Sequence, residues 1–262
     1  MQVVEGWSSM TIEEGQEILL YVNEKKSWIV SVGSGKKFHT HKGIVDLGEL
    51  IGKEYGTELK TTLGLPMKAM PVDYLDHLER VSRKTQIIYP KDIALITLLA
   101  NVRPGSRVVE CGTGSGSLTS YLVTHVQPNG MVYTYEARED FQRIARRNLE
   151  RMGLSKNVEM KLKDINEGID ERDVDAVILD MATPWQVVGL ARDALRTGGR
   201  LVSFSPTINQ VEKTVEEMRS KGFLAVKALE LLMRTYKVKA NETRPDMIMV
   251  GHTGYIVSGR KG

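Results

Sequence analysis

Val108–Thr119, "VVECGTGSGSLT", sets three alternating glycines behind an apolar pair and a carboxylate. Glycines let a backbone pass close beneath a ligand, and the residues that follow read as a helix whose first amides face it. A triphosphate-binding loop needs Gly-Lys-Ser/Thr after its glycines, and 112–117 holds no lysine. In "VGSGKK", Gly35-Lys36 is followed by Lys37 and the upstream glycine is missing. A dinucleotide fingerprint needs a third glycine where helix packs on strand; counted from Gly112 and Gly114, that position is Ser117. What remains is acid-x-Gly-x-Gly-x-Gly, from Glu110 through Gly112, Gly114 and Gly116.

Outward from this loop, strands and helices alternate. "RVVEC", "MVYTYE", "VEMKL", "DAVILD" and "RLVSFS" read as strands, with a helix over Ile93–Leu99 before them. Helices are expected at "SLTSYLVTHV", "REDFQRIARRNLERMG", "PWQVVGLARDALR" and "INQVEKTVEEMRSKGF". Apolar strands in that alternation predict an α/β fold with a mostly parallel sheet covered on both faces. "LAVKALELLMRTYKVK" and "MIMVGHTGYIVSG" have no helix between them and predict an antiparallel pair at the sheet edge; the methionine-containing run "LELLMRTY" reads as core. Four acids, Glu110, Glu136, Asp164 and Asp180, then fall at the carboxyl ends of four successive strands, the edge where open α/β sheets bind ligands. Glu110 suits an ammonium group and the helix start a carboxylate. Glu136 suits ribose hydroxyls, as it would in a dinucleotide site, and Asp164 an adenine amino group. Jointly they describe S-adenosylmethionine and a methyltransferase.

The chain has 262 residues, 41% hydrophobic and 26% charged, with a net charge of +3. That balance permits a polyanionic partner without requiring one. A lone cysteine excludes an internal disulfide framework and fits a reducing cytoplasm. No apolar run approaches the ~20 residues of a membrane span, and "MQVVEGWSSMTIEEGQ" lacks the pattern of a signal peptide. The expectation is a soluble cytoplasmic protein. Period-two runs broken by glycine from about Met10 to Leu65 predict a small β-domain. The expected organisation is therefore a β-domain over 1–68, a connector over 69–92 and the α/β domain over 93–262.

The segments "TQIIYPKD", "ECGTGSGSLT", "YEARED", "ILDMATPW", "SFSPTINQV" and "GHTGYIV" resemble the tRNA (adenine-N1)-methyltransferases that modify the T-loop, and "HTHKGIVDLGELIGKEYG" is similar to their amino-terminal β-domain. The resemblance implies a class I (Rossmann-like) methyltransferase fold with a seven-stranded sheet, S-adenosylmethionine as donor, and methylation of A58, with A57 added in archaeal members. It implies a homotetramer without a separate tRNA-binding subunit. By motif, Asp180 matches the catalytic aspartate and Tyr89 the tyrosine of "YPKD" beside the target base. The donor loop maps onto Ser115, Gly116, Ser117 and Leu118, and Glu136 holds the ribose. His252, and with it Arg244, falls toward the tRNA acceptor pocket.

The chemistry of the residues agrees. Adenine N1 carries its own lone pair, so no strong base is needed, and a carboxylate accepting from N6–H would stabilise the charge that develops on the ring. A base inside folded RNA must be extruded, where an aromatic such as Tyr89 can stack on it. "DMATPW" departs from the Asn/Asp-Pro-Pro-aromatic motif of exocyclic-amine methylation. Arg138, Arg143, Arg146, Arg147 and Arg151 read as a solvated helix face balanced by Glu139, Asp140 and Glu150, although phosphates would suit them too. His39 and His41 read as strand surface; two histidines make a weak metal site, and no metal is expected. Cys111 reads as a small side chain at a crowded junction. Two rivals stay open: methylation of a small molecule or of protein isoaspartate, and a non-catalytic RNA-binding subunit on a degenerate fold.

Overall fold

Val108, Val109, Glu110 and Cys111 are all buried, so the strand that opens the glycine loop lies in the middle of a sheet with both faces covered. The structure, a computed structural model, describes residues 11–80 and 88–262. The opening residues before Thr11, and the part of the expected connector from Val81 to Ile87, lie outside the described residues. The chain divides into two units after Arg80.

The first unit is antiparallel. Strands β1 (Glu17–Asn23), β2 (Lys26–Ser31), β3 (Lys37–Thr40), β4 (Gly43–Asp46), β5 (Glu58–Lys60) and β6 (Pro66–Pro71) form a four-stranded sheet in the order β2-β1-β6-β5 and a separate β3-β4 hairpin. Ile18, Leu20, Val45, Met67 and Ala69 close its core. Helix α1 (Tyr74–Arg80) follows, its start held by reciprocal bonds in which the Asp76 amide donates to Asp73 Oδ1 and the Asp73 amide to Asp76 Oδ2. The unit thus runs past 68, because β6 pairs with β1 as far as Pro71. His39 lies on β3 but His41 sits in the turn beyond it; both are exposed.

The second unit starts with helix α2 (Pro90–Leu99), three residues earlier than the predicted Ile93, with proline in its first turn and Tyr89 as N-cap. There follow β7 (Arg107–Cys111), α3 (Ser117–Val126), β8 (Met131–Glu136), α4 (Glu139–Arg151), β9 (Val158–Leu162), β10 (Val174–Asp180), α5 (Val188–Ala194), β11 (Leu195–Ser205), α6 (Ile208–Ser220), β12 (Phe223–Glu230), β13 (Tyr236–Lys237), β14 (Arg244–Pro245) and β15 (Tyr255–Lys261). The main sheet has seven strands in the order β12-β15-β11-β10-β7-β8-β9, with β7 to β11 and β12 running parallel and β15, between β12 and β11, antiparallel to them. Successive residues feed opposite faces: Val109, Cys111, Val177 and Leu179 enter one core, Val108, Ala176 and Ile178 the other. The α/β class and the seven-stranded, mostly parallel sheet follow the sequence reading.

Two expectations need correction. The helix expected over "PWQVVGLARDALR" is a short 3-10 turn, Pro184–Val187, then α5, and it stops at Ala194. Leu195 already pairs with Val174 of β10, and the strand bulges before Arg200 pairs with Ala176. Of the segment expected as core, "LELLMRTY", Leu229 and Glu230 end β12 and Leu229 packs against the core, but the residues from Leu231 on lie in an arm between β12 and β15. Leu232, Met233 and Tyr236 are more than half exposed, and Met247 and Ile248 are 87% and 86% exposed. The sheet edge is filled by β15, which pairs with β12 up to Glu230, so the residues beyond have no strand beside them except the two-residue pairing of β13 with β14. Among the described residues, no helix is long and apolar enough to cross a membrane.

Candidate active site

Strand order reverses between β7 and β10: after β7 the chain leaves toward β8 and β9, and after β10 toward β11. A crevice opens at the carboxyl ends of strands at such a point. Here it is a cavity of about 800 Å³. Gly112 and Gly114 form its floor, and Glu136, Asp164 and Asp180 reach it from the ends of β8, β9 and β10.

The floor depends on two glycines for different reasons. A Cβ on Gly112 would lie well inside contact distance of the Asp180 carbonyl oxygen, and its φ is +99°. Gly114, at φ +55°, would place a Cβ where nothing stands within 4 Å, so here the backbone faces open space. Gly116 caps α3 with φ +83° and packs on Ala145 of α4. The Glu136 carboxylate joins loop to strand: the Gly114 amide donates to Oε2 and the Arg138 amide to Oε1, both at 3.0 Å.

On the β8–β9 side, Phe141 and Arg138 line the cavity, with the guanidinium 3.5 Å from the ring centroid. Asp164, just after β9, lines the cavity as well; its Oδ1 also accepts from the Asn166 amide at 2.9 Å, capping a short turn. The other side consists of Asp180, Met181 and Ala182 with Phe204, Pro206 and Gln210. Gln210 Nε2 donates to the Ala182 carbonyl at 2.8 Å, which holds the loop after Asp180. Ile88 closes this end. An open glycine floor, an aromatic wall and carboxylates at three strand ends fit a donor set for an amino acid joined to a nucleoside.

Glu110 departs from the expectation. Its carboxyl is fully buried and absent from the cavity wall; Thr119 donates to Oε2 at 2.6 Å, and Oε1 has no partner. Burial, with the nearby charges of Asp180 and Glu136, pushes its pKa up to about 8 despite the Thr119 bond and the Thr134 hydroxyl nearby, so the group is largely neutral at pH 7. It supports α3 from below. Asp180 is raised to about 7, first by burial and then by the charge of Glu136. Cys111 is fully buried and its thiol is pushed up by the same desolvation, so it is no nucleophile.

Ser115, Ser117 and Leu118 are buried beneath the loop rather than on the wall; their side of the site is the first turn of α3, whose amides lack intrahelical acceptors. Tyr89 is 47% exposed at the start of α2, next to Ile88. His252 reaches the rim, with Nε2 3.0 Å from the carbonyl of Pro206. Its Nδ1 faces Glu230 Oε1 at 2.6 Å, and these two acceptors raise its pKa. Arg244 lies out on the arm in β14, where its guanidinium meets the Pro245 carbonyl, and does not line the cavity. Arg138, Phe141, Phe204 and Gln210 were missed as lining residues. The signal for Gln210 was in the sequence as a Thr-x-x-Gln capping box at Thr207, which is present.

The sequence model of a family described as "tRNA methyltransferase complex GCD14 subunit" matches residues 77–254. The tRNA (adenine(57)-N(1)/adenine(58)-N(1))-methyltransferase TrmI of Methanocaldococcus jannaschii is 37% identical over 92% of this chain and 94% of its own. The tRNA (adenine(58)-N(1))-methyltransferase TrmI of Thermus thermophilus is 32% identical over 93% of this chain and 96% of its own. Among solved structures, a protein described as a SAM-dependent O-methyltransferase from Thermotoga maritima has a TM-score of 0.92 at 35% identity, covering 98% of this chain and 97% of that one. The tRNA (m1A58) methyltransferase TrmI of Aquifex aeolicus has a TM-score of 0.83 at 31% identity, covering 96% and 99%.

The two floor glycines should fail differently. Gly112→Ala is expected to lose ~3 kcal/mol or more of stability, from the clash and the positive φ. Gly114→Ala should lose only ~1 kcal/mol but weaken binding of S-adenosylhomocysteine, because its methyl group enters the cavity; calorimetry with thermal melts separates the two. Glu110→Gln tests the buried acid. A carboxyl with a raised folded pKa contributes stability below its unfolded pKa and loses it as pH rises through the folded value. The stability gained by Glu110→Gln should therefore grow from about pH 4.5 and level off above about pH 8. Its affinity for S-adenosylhomocysteine should stay within about threefold of wild type.

Proposed function

The chain belongs to the tRNA methyltransferase family whose model covers residues 77–254, and from that membership we propose that it transfers a methyl group from S-adenosylmethionine to N1 of adenine in the T-loop of tRNA. The target is A58, with A57 as a second target on the precedent of the Methanocaldococcus jannaschii relative. The observation that carries the reading is Asp180 at the floor of the reversal-point cavity, touching the glycine loop on one side and the Phe204–Pro206 wall on the other.

S-adenosylmethionine supplies an electrophilic methyl group on a sulfonium sulfur. Glu136, at the end of β8, is the group to hold the ribose hydroxyls, with Asp164 and Phe141 beside the adenine. The first turn of α3 and the Gly112–Gly114 backbone are left for the amino-acid end. At the acceptor, the N1 lone pair forms the new bond to carbon while the carbon–sulfur pair departs with sulfur. The positive charge left on the ring spreads to N6. Asp180, ionised, accepts from N6–H and stabilises that charge, and its carboxylate receives the N6 proton as the ring charge is discharged. Tyr89 is exposed where it can stack on an extruded base. Oxygen methylation, the activity in the description of the Thermotoga maritima protein, would require removal of an acceptor proton before attack; an N1 acceptor does not.

The protein is proposed to act as a homotetramer in the cytoplasm. Support for assembly comes from the arm: Leu232, Met233, Val238, Met247, Ile248 and Val250 are each at least half exposed, apolar side chains that an assembly would cover. The buried free thiol of Cys111 suits a reducing compartment.

Labelled donor with unmodified tRNA, followed by mapping of the product nucleoside, tests the activity: N1-methyladenosine at position 58 is expected, and label in no RNA position would sink the proposal. Asp180→Ala should lower methyl transfer by about a thousandfold, within the range of a removed electrostatic stabiliser, with donor binding largely kept. Because the ionised form accepts, kcat/KM for the donor should rise with pH through about 7 and then level. Replacing Met247 and Ile248 together by serine should lower the mass seen by light scattering without lowering the melting temperature of the second unit.

A further inference from the structure

The arm leaves the fold at Leu231 and re-enters at Thr253, and the two points are held together by buried charge. Lys91, in the first turn of α2, has a side chain only 9% exposed, and the side chain of Asp92 is 0% exposed. The Lys91 ammonium donates to Asp92 Oδ1 at 2.8 Å, to the Leu231 carbonyl at 2.7 Å and to Thr253 Oγ1 at 2.7 Å. Thr253 donates in turn to Asp92 Oδ2 at 2.7 Å. All three ammonium protons are used, and both carboxylate oxygens are engaged.

A buried ion pair is poor evidence of stabilisation, since desolvation offsets most of its attraction and apolar residues of similar volume often do as well. What this one fixes is position. The amides of Asp92 and Ile93 donate to the Tyr89 carbonyl at 2.9 and 3.0 Å, so Tyr89 follows the turn that carries the pair. Ile88, just before it, lines the cavity. On the arm side, His252 precedes Thr253 and reaches the carbonyl of Pro206, another lining residue. Gly254 follows, pressed so close to the Phe204 ring that a Cβ there has no room.

We propose that Lys91, Asp92 and Thr253 are positioning residues: they lock the neck of the arm onto the first turn of α2 and so set the acceptor side of the cavity, including Tyr89. The kinetic consequence rests on the methyl-transfer reading; the mechanical one does not. Opening the lock should leave the donor half of the site intact, because Gly112, Gly114 and Glu136 are held by separate bonds.

Thr253→Val removes the hydroxyl at nearly constant volume, and Thr253→Ser keeps it. In the full-length protein, Thr253→Val is expected to lower kcat on tRNA by about tenfold or more, as misplacement of a reacting group by a fraction of an ångström does. Its affinity for S-adenosylhomocysteine should stay at the wild-type value, amide exchange should quicken at 231–253 and in the first turn of α2, and Thr253→Ser should restore both rate and protection. Lys91→Met, an unbranched apolar replacement, should give the same exchange pattern. Wild-type exchange at the neck in both Thr253→Val and Lys91→Met would overturn the lock. So would a loss of rate that tracks donor affinity, or one that serine does not restore. A wild-type protein inactive on tRNA would refute the function and leave the exchange result to decide the lock.

Discussion

Gly112 lies so close to the backbone of Asp180 that no Cβ fits between them, and the geometry of the site depends on it. Parallel β7 and β10 are neighbours, yet the chain leaves them in opposite directions, so both exit turns must share one crevice. They share it only because position 112 carries no side chain and adopts a positive φ. That single contact puts the glycine floor within one residue's width of the Asp180 carboxylate. A methyl transfer needs this juxtaposition, since the reacting atoms must meet in line with little water between them.

Bringing the turns together also concentrates acidic groups. Burial raises the pKa values of Glu110 and Asp180, and the charge of Glu136 beside them adds to the rise at both. The structure accommodates them unequally. Glu136 receives two backbone amides and faces the cavity. Glu110 points away, receives only a hydroxyl bond to one oxygen, and carries a proton at neutral pH. Asp180 lies between these cases, with a pKa near the working range. A carboxylate held that close to neutrality accepts hydrogen bonds from an amino group that is becoming acidic, which is what a methylated adenine presents. The cost is a fold whose stability declines as pH rises through the same interval.

The glycine-loop half of this arrangement was legible in the sequence because it is local. Glycines set φ and spacing within six residues, and an acid at each strand end marks the sheet edge. The strand–helix alternation likewise gave the sheet order its parallel core. Glu110 misled because its place in the motif says nothing of which way the side chain points; the alternation of β7 turns it under α3, where Thr119 meets it. The arm misled because "LELLMRTY" has the composition of a core strand, and only the presence of β15 beside β12 denies it a partner. Phe141 and Phe204 gave no signal at all, since each is an ordinary apolar residue of its element until the sheet order brings it to the cavity.

The two walls of the cavity differ in the same respect. Contacts that build the glycine-loop wall join residues close in sequence, such as Gly114 to Glu136 and Arg138 to Glu136, 22 and 2 residues apart. Those behind the wall of Ile88 and Phe204 join Lys91 to Leu231 and Thr253, 140 and 162 residues apart. A wall made of local contacts is carried intact wherever its motif goes, which is why a glycine loop identifies a donor and not a substrate. A wall made of distant contacts depends on segments outside the common sheet, here the turn before α2 and the neck of an exposed arm. Under the proposed reaction a change of acceptor would act on those segments, while Gly112 and Asp180 keep the same contact beneath them.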